Sequence, residues 1–283
     1  MNPNVLIVGV GKGSWQIRGI QIGTALGARV TSSPTEQDWR WADVCILVKR
    51  ALDVFASAAH AFSVPIIWDA LDFWIQPEMN QMSDAQALWL AQSQLSRVKT
   101  SLVIGATVAM SEDLGGVYLP HHSRPRLSPA PAREKLQVVA YEGMAKYLGS
   151  WRSALEIVCS RLGLVFVVNP ADLREADVIV AFRGEKWDGP ICRRWKSGVK
   201  VVNALAAGRP LITQNSSAYS ELQTPGFVVE HADQLESAIL SYASKESRQS
   251  VANECRLRAP EFALGAVAAR YRTMIESAVR RAA

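Results

Sequence analysis

The chain has 283 residues, which at roughly 150 residues per domain predicts about two domains. Hydrophobic residues make up 49% and charged residues 20%, so a disordered chain is excluded, because disorder requires low hydrophobicity and high net charge. The formal net charge of +5 permits an anionic partner without requiring one. Nine tryptophans are an unusual number, and they suit either the core or platforms that stack on sugars or bases.

Cysteine spacing and the length of the apolar runs limit the class of protein further. The four cysteines form no CxxC pair, which disfavours a zinc or disulfide framework and favours a reducing compartment. No apolar run approaches the ~18 residues that span a bilayer. Residues 1–4 lack the basic region of a signal peptide, and no long apolar run follows them. We therefore expect a cytoplasmic protein without a transmembrane segment.

Short apolar strands alternate with helical patterns along the first half of the chain. Strands are predicted at residues 5–10, 28–32, 43–48, 64–68, 102–104 and 117–119. Helices are predicted at 14–26 with Ser14 as the cap, at 52–62, from Ser83 onward and at 107–114. This alternation predicts a parallel sheet with helices on both faces.

A proline-rich stretch interrupts the alternation, which then restarts. Residues 120–135 contain four prolines and three arginines without periodicity, which predicts a linker. Beyond it, strands are predicted at 137–141, 164–168, 178–181, 211–213 and 227–229. Helices are predicted near 151–162, 198–207, 217–222 and 233–243, and a last helical segment covers 261–282.

The whole pattern predicts an α/β protein of two Rossmann-like domains that face a central cleft. The first domain is expected at 1–122, the linker at 123–136, the second domain at 137–258 and a C-terminal helix at 259–283. A short repeat supports two similar halves, because Ala-Asp-Val opens a predicted strand at both 42–44 and 176–178. Ligands of such sheets bind at the carboxyl ends of the strands.

A glycine-rich turn follows the first predicted strand. Gly11 and Gly13, with Ser14, would let the backbone approach an acceptor or a phosphate, or would only make a tight strand-to-helix turn. The third glycine of a dinucleotide fingerprint falls at Ser14, and no acidic residue follows the second strand. Lys12 precedes Gly13 rather than Ser or Thr. The spacing therefore disfavours both an NAD site and a P-loop.

The segment 200–212 resembles the C-terminal domain of GT-B glycosyltransferases. Those enzymes have Lys or Arg, two residues, Glu, and then Ala-x-Ala-x-Gly-x-Pro-Val-Ile, and here the run reads KVVNALAAGRPLI. A cation near a helix N-terminus can neutralise a diphosphate, and a polar side chain one turn later can reach a ribose. The resemblance implies that Lys200 contacts the diphosphate and that Asn203, in place of Glu, holds the ribose. The Glu-x7-Glu signature of retaining members is absent, since Trp195 stands at its other position.

The first half resembles the same enzymes in two segments. Residues 65–74, PIIWDALDFW, are similar to the strand end Pro-Val-Ile-Tyr-Asp-x-x-Asp of many members, and 102–120 is similar to a later passage. The resemblance implies a carboxylate base for the acceptor hydroxyl in this region, and phage DNA β-glucosyltransferases are similar in having an Asp just after this strand. We prefer Asp69, which directly follows the predicted strand, with Asp72 as the alternate. Either residue could instead cap the next segment or pair with an arginine.

Four further residues complete the predicted site. Arg183 ends a strand near the expected donor, and Lys196 lies one turn before the diphosphate lysine, where it can add a phosphate contact. The resemblance implies that Glu221 lies near the sugar or the ribose. Arg18, one turn into the first helix, is expected to face the cleft and contact acceptor or phosphate, unless it is simply solvated.

The resemblance also implies roles for the two domains. Domain 1–122 would hold the acceptor, and domain 137–258 would bind the nucleotide sugar. The segment 259–283 would pack back toward the first domain, so that closure assembles the site. Trp68, Trp74 and Trp195 fall beside the expected cleft, where stacking on a sugar or base is expected.

No metal or bound cofactor is expected. His121 and His122 are adjacent in the linker with no further ligand cluster nearby, which predicts a solvated pair. GT-B enzymes generally need no bound metal, so the resemblance implies a nucleotide-sugar donor, a UDP-sugar first, and no further cofactor.

The sequence thus predicts a glycosyltransferase that moves a hexosyl or pentosyl group from a nucleotide-diphosphate sugar to a hydroxyl, with inversion slightly favoured. The acceptor would be a glycan or a modified DNA base, because arginines in the linker and in 193–196 suit a polyanion, although they also suit an ordinary solvated surface. The alternative is a non-catalytic nucleotide- or glycan-binding protein of the same fold. A dehydrogenase or epimerase comes third. The oligomeric state is not predicted.

Overall fold

Two parallel sheets form the framework of the described residues, 3–50 and 53–282, of the computed structural model. The first sheet has the strand order β2-β1-β3-β4-β5-β6. Its strands are β1 (Val5–Val8), β2 (Arg29–Thr31), β3 (Val44–Val48), β4 (Ile66–Asp69), β5 (Leu102–Gly105) and β6 (Val117–Tyr118). All six pair in parallel, as the alternation of strand and helix predicts.

The second sheet repeats the strand order of the first. Its strands are β7 (Val138–Tyr141), β8 (Val165–Val168), β9 (Val178–Ala181), β10 (Leu211–Thr213) and β11 (Gly226–Val228), in the order β11-β10-β9-β7-β8. In both sheets the second strand lies on one side of the first strand and the third lies on the other. Ligands bind such sheets where the strand order reverses, past the carboxyl ends. The predicted two Rossmann-like domains are confirmed, with each predicted strand found within two residues of its expected bounds.

Helices cover both sheets. A π-helical turn (Trp15–Gln21) runs into α1 (Ile22–Leu26), and the remaining helices are α2 (Glu36–Trp41), α3 (Asp53–Ala61), α4 (Asp84–Val98), α5 (Val108–Asp113), α6 (Trp151–Arg161), α7 (Pro190–Trp195), α8 (Val199–Ala207), α9 (Ser217–Leu222), α10 (Leu235–Leu240), α11 (Lys245–Arg258) and α12 (Leu264–Ala282). The helices predicted from Ser83 onward and at 107–114 are α4 and α5, and the structure shows Ser83 and Thr107 as their N-caps. The helix predicted at 52–62 is α3, and Leu52 lies outside the described residues. Helices α2, α7 and α11 are absent from the prediction.

The helix after β1 does not begin at Ser14. Ser14 has a helical backbone (φ −63°, ψ −38°), and its side chain makes no capping hydrogen bond, so the predicted cap is wrong. Instead, the indole of Trp15 organises this turn. A Cβ atom added to Gly9 or Gly19 would lie 2.7 or 2.2 Å from the Trp15 ring. Both glycines therefore make room for an aromatic side chain.

An aspartate at the start of the third strand ties each sheet together in the same way. Asp43 Oδ2 accepts a hydrogen bond of 2.7 Å from the backbone N–H of Asn4, next to β1. Asp177 Oδ2 accepts from the backbone N–H groups of Gln137 (2.7 Å) and Val138 (2.9 Å), at the start of β7. The Ala-Asp-Val repeat of the sequence therefore marks corresponding places in the two domains.

Each domain receives an element from the other half of the chain. Val267 and Ile275 of α12 are buried against Ile7 and Ile46 of the first sheet. Helix α7 belongs to the second half of the chain, yet its Trp195 is buried in a core formed mainly by first-domain residues. The two domains are therefore joined by apolar contacts on two sides.

We expect Asp177→Ala to destabilise the second domain. The Asp177 side chain is 0% exposed and also pairs with Arg133 at 2.6 Å, so its removal leaves several donors unpaired. A loss of about 2–3 kcal/mol of unfolding free energy follows, measurable by urea denaturation. Asp43→Ala is the matched control, because the exposed Asp43 holds one backbone N–H, and its loss should be less than half as large. Equal losses would contradict the role given to burial.

Candidate functional site

A cavity of about 430 Å³ lies between the domains, at the carboxyl ends of both sheets. Its first-domain wall includes Gly13, Ser14, Lys49, Arg50, Asp72, Trp74 and His121. Its second-domain wall includes Tyr147, Arg183, Trp187, Lys196 and Lys200. The position matches the general rule for ligand sites in doubly wound sheets.

Five cations and one carboxylate line this cavity. The cations are Lys49, Arg50, Arg183, Lys196 and Lys200, and the carboxylate is Asp72. Within residues 3–50 and 53–282, Lys196 is the one member of this set that forms an ion pair. The cavity therefore has a positive field that favours an anionic ligand.

The ion pair between Asp72 and Lys196 connects the two walls. The Asp72 side chain is 5% exposed and that of Lys196 is 19% exposed. Burial alone would raise the pKa of Asp72, but the charges of Lys196, Lys49 and Arg183 outweigh it and lower that pKa. Burial lowers the pKa of Lys196, against the attraction of Asp72.

Asp72 keeps one oxygen free. It occupies the left-handed backbone region (φ 48°), which Asp tolerates better than most residues. Its Oδ2 accepts from Lys196, whereas its Oδ1 has no hydrogen-bond partner among the described groups. A substrate hydroxyl is the kind of donor that this oxygen lacks.

Lys200 and Arg183 lie together on the second-domain wall. The Nζ atom of Lys200 is 3.8 Å from the centroid of the Tyr141 ring. Burial, reinforced by the charge of Arg183, lowers the pKa of Lys200 well below its usual value. A bound diphosphate would favour the charged amine again, because opposite charge stabilises it. Arg183, Lys196 and Lys200 also line a smaller adjoining cavity of about 60 Å³ that reaches the loop after β10.

The side-chain amide of Asn203 forms hydrogen bonds within the protein at both its nitrogen and its oxygen. Its Nδ2 donates to both carboxylate oxygens of Glu142 at 2.9 Å, and its Oδ1 accepts from the backbone N–H of Arg124 at 2.7 Å. The residue is 3% exposed and does not line the cavity. The ribose contact expected of Asn203 is therefore not available here, since its amide joins the linker to the second domain.

Asp69 is sealed beneath the C-terminal helix. It is 0% exposed, and its Oδ2 accepts a hydrogen bond from the hydroxyl of Tyr271 in α12. Arg18, expected at the cleft, is also buried and donates to the Tyr271 hydroxyl (2.9 Å) and the Leu119 carbonyl (2.6 Å). Arg18 Nη1 lies 3.7 Å from Asp69 Oδ2. Neither residue faces the cleft, because Tyr271 covers this side of β4.

Two other predicted residues lie outside the cavity wall. Gly11 is exposed, has φ 113° and does not line the cavity. Of the three predicted loop residues, Gly13 and Ser14 line it. Glu221 Oε1 accepts from the backbone N–H of Ala109 at 3.3 Å, at the start of α5. Burial raises the pKa of Glu221, which lines a separate cavity of about 470 Å³. Glu221 therefore contacts a helix of the first domain instead of the donor position.

The two histidines expected to be solvated are buried. His122 is 1% exposed, with its ring nitrogens 2.8 Å from the Ser123 carbonyl and 3.1 Å from the Ile17 carbonyl. His121 lines the cavity, and its Nδ1 has no partner among the described groups. Burial, with the charge of Arg18, lowers the pKa of His121 well below its usual value, so the ring is neutral at pH 7. Its place just past β6 is the sequence signal that could have revealed it.

Trp68 and Trp195, expected to stack on a ligand, are core residues. Both are 0% exposed. Trp195 stacks on Phe73 with 5.5 Å between ring centroids, and its Nε1 donates to Asp113 Oδ2 at 2.6 Å. Trp195 thus joins the second half of the chain to the first domain, whereas Trp68 packs within the first domain, against Phe73.

A different aromatic pair lines the cavity. Trp187 and Tyr147 meet edge to face, with centroids 4.7 Å apart, on the second-domain wall. Trp74 reaches the first-domain wall. Trp187 and Tyr147 offer a stacking surface for a planar ligand group that the sequence analysis missed.

The arginines expected to attract a polyanion are largely neutralised. Four of these arginines form ion pairs with carboxylates at 2.6–2.8 Å. The pairs are Arg124 with Glu142, Arg133 with Asp177, Arg193 with Asp188, and Arg194 with Asp113. These four ion pairs reduce the positive charge that the linker and residues 193–196 offer to a polyanion. Arg126 of the linker forms no ion pair within residues 3–50 and 53–282.

Metal clusters, disulfides and membrane-spanning helices are absent from residues 3–50 and 53–282. No three His, Cys, Asp or Glu side chains there are grouped as a metal site requires. The four cysteines are free and buried. No helix in this part of the chain is long and apolar enough to cross a membrane.

No protein-family model and no curated protein matches the sequence. The structure is similar to trehalose-6-phosphate synthase OtsA, with a TM-score of 0.65 and 9% identity over 98% of this chain and 99% of that chain. It is also similar to AviGT4, a glycosyltransferase involved in avilamycin A biosynthesis (TM-score 0.54, 11% identity, 99% and 97% covered). The pneumococcal O-GlcNAc transferase GtfA, solved in complex with UDP and GlcNAc, is similar over 84% of this chain and 57% of its own (TM-score 0.55, 13% identity). At these identities the likeness establishes the fold: the chain has the GT-B fold.

We expect Tyr271→Phe to destabilise the protein, because the lost hydroxyl bridges Asp69 and Arg18 in a fully buried network. Removing one member of such a network costs about 2 kcal/mol. The readout is the midpoint of thermal or urea unfolding. Tyr219→Phe, at a half-buried tyrosine of the second domain, should change the midpoint little. Similar midpoints for Tyr271→Phe and the unmodified protein would show that the bridge contributes nothing.

Proposed function

We propose that the protein transfers a hexosyl or pentosyl group from a nucleotide-diphosphate sugar to a hydroxyl acceptor. The observation that carries the proposal is the cavity at the carboxyl ends of both sheets, where five cations surround one carboxylate. A diphosphate leaving group gains negative charge as its bond to the sugar breaks, and preorganised cations stabilise that charge. We favour a UDP-sugar donor, because the structurally similar GtfA was solved with UDP.

The donor would lie against the second-domain wall. Lys200 and Arg183 would hold the diphosphate, together with backbone N–H groups at the start of α8. The edge-to-face pair of Trp187 and Tyr147 would support the base or the sugar. Asp72 and the donor phosphates are both negatively charged and compete for Lys196. When the donor enters, Lys196 would turn from Asp72 toward the phosphates.

Asp72 would then act as the general base. Without Lys196 as its partner, its pKa rises and its carboxylate becomes more basic. The acceptor hydroxyl gives its proton to Asp72 while its oxygen bonds to the anomeric carbon, and the bond from that carbon to the diphosphate oxygen breaks. This single displacement inverts the anomeric configuration. The base role expected of Asp69 passes to Asp72, since Asp69 is sealed under α12.

A glycan or other hydroxyl compound that fits the cavity suits this site better than DNA. Duplex DNA would need unpaired surface cations beyond the cavity. Four of the arginines that could supply them are paired with carboxylates. The alternative function, a non-catalytic nucleotide-binding protein, requires nucleotide binding without turnover of any nucleotide sugar.

Nucleoside diphosphates should raise the melting temperature of the protein. A ligand at 100 times its Kd adds about 2.7 kcal/mol of stability, a shift of a few degrees, so UDP, GDP, TDP and NAD can be compared directly. We expect UDP to give the largest shift and Lys200→Met to abolish it. Lys99→Met is the matched control, because Lys99 is exposed at the end of α4 and does not line the cavity. A shift with NAD alone would sink the proposal.

Replacing the base should stop turnover without stopping nucleotide binding. We expect Asp72→Asn to lower the rate of donor turnover by a factor of about 100 or more while the UDP-induced melting shift persists. Asp69→Asn should lower the melting temperature instead, since its carboxylate serves a buried network. Rates are compared at a temperature where both variants are folded.

His121→Asn provides the contrasting variant, because His121 is the other group on the first-domain wall able to accept a proton. If Asp72 is the base, His121→Asn retains turnover within about tenfold. Full activity of Asp72→Asn combined with an inactive His121→Asn would move the base role to the histidine.

A further inference from the structure

The cavity holds more positive charge than a nucleotide-diphosphate sugar neutralises. Five cations against one carboxylate leave four positive charges when Lys200 is protonated. A nucleotide-diphosphate sugar brings about two negative charges, since each of its two bridged phosphates ionises once, as in a nucleic-acid backbone. Two positive charges remain uncompensated with the donor in place.

The surplus lies on the first-domain wall. Lys49 and Arg50 follow β3, across the cleft from Arg183 and Lys200. Neither forms an ion pair within residues 3–50 and 53–282. Lys49 is half-buried, so its charge is poorly screened and also lowers the pKa of Asp72. Arg50 is exposed and better screened by solvent, so the repulsion acts mainly between Lys49 and the other buried cations, and a bound anion would relieve it.

The position of Lys49 is fixed by its backbone. Its φ of 66° lies in the left-handed region, an uncommon conformation for a lysine. Its N–H donates to the Asp69 carbonyl at 2.7 Å, and its carbonyl accepts from Trp68 Nε1 at 2.8 Å. Two hydrogen bonds thus hold the strained backbone of Lys49 at the cavity wall, and such strain is concentrated at binding sites.

Arg50 connects this wall to a second cavity. A pocket of about 310 Å³ shares Arg50 and Trp74 with the main cavity. Phe73, Ile75, Met79 and Leu90 form the apolar part of its remaining wall, and Asp53, Gln94 and Arg97 form the polar part, where Arg97 pairs with Asp53. An acceptor held by its anionic group at Lys49 and Arg50 would therefore have room for an apolar portion beside the reaction centre.

We propose that Lys49 and Arg50 form an anion subsite for the acceptor, so that the acceptor is a hydroxyl compound that bears a phosphomonoester or a carboxylate. The inference rests on the proposed function, because that reaction defines the acceptor. It adds the chemical class to which the acceptor belongs. A phosphomonoester carries about −1.5 to −2 charges at pH 7, which matches the surplus. The anionic group is bound and takes no part in bond making or breaking.

Inorganic phosphate is the direct probe of this subsite. With UDP saturating the donor position, phosphate should stabilise the protein further, and its apparent Kd is read from the melting shift across a phosphate titration. We expect Lys49→Gln and Arg50→Gln each to weaken phosphate binding by about tenfold, the loss of one charge-assisted contact. UDP binding should change by less than phosphate binding in either variant, because Lys200 and Arg183 are the residues proposed to contact the diphosphate.

Lys99→Gln is the control, because Lys99 is also an unpaired lysine with positive φ (48°) but lies outside the cavity. Equal phosphate affinity in the Lys49, Arg50 and Lys99 variants would overturn the inference. Failure of UDP to bind would overturn the proposed function instead, and the same variants titrated with phosphate alone would still decide the subsite.

Turnover measurements distinguish an acceptor that bears a phosphomonoester from one that bears a carboxylate. A hexose phosphate, the corresponding hexuronic acid and the neutral hexose are compared as acceptors with one nucleotide-sugar donor. We expect an anionic acceptor to have the lowest KM, and Arg50→Gln, which removes a charge that does not act on the pKa of Asp72, to raise that KM about tenfold with little change in kcat. Equal KM values for the anionic and neutral acceptors would contradict the inference, even with turnover intact.

Discussion

The ion pair between Asp72 and Lys196 controls the geometry of the cleft, because it is a contact between opposite charges from the two domains at the point where both sheets end. Two partly buried charges lose much of their hydration, so the pair persists only with further support. Lys49 and Arg183 supply it for Asp72, and apolar packing of α7 on the first domain keeps Lys196 within reach. An anion that competes for Lys196 therefore acts on the carboxylate and on the domain interface together.

Local patterns were sufficient for the strands and for several helix starts. Apolar runs of four to six residues between turn residues are typical of buried strands. Ser83 and Thr107 offer side-chain caps to the helices after them. Helix α11 was missed because most of its residues are polar, and α7 because it is only six residues long. The aspartates of the two Ala-Asp-Val segments show that even a three-residue repeat can report a structural correspondence.

The candidate site was harder to predict, because each polar side chain can bind either a ligand or the protein itself. Lys200 lines the cavity, whereas Asn203, one turn later, forms its hydrogen bonds with Glu142 and with the backbone of the linker. The sequence around Asp69 contains no sign of Tyr271, which lies 202 positions away and seals it. Such long-range contacts decide exposure, and exposure separates a structural carboxylate from a reactive one.

The place of α12 in the first domain has a consequence for how the protein is made. The last strand of that domain ends at Tyr118, but the helix that completes its core begins at Leu264. On the ribosome, the first domain therefore emerges with one face of its sheet covered only in part, by α1, until α12 has been synthesised. During that interval apolar residues of this face, Ile46 among them, are available to chaperones and to other nascent chains.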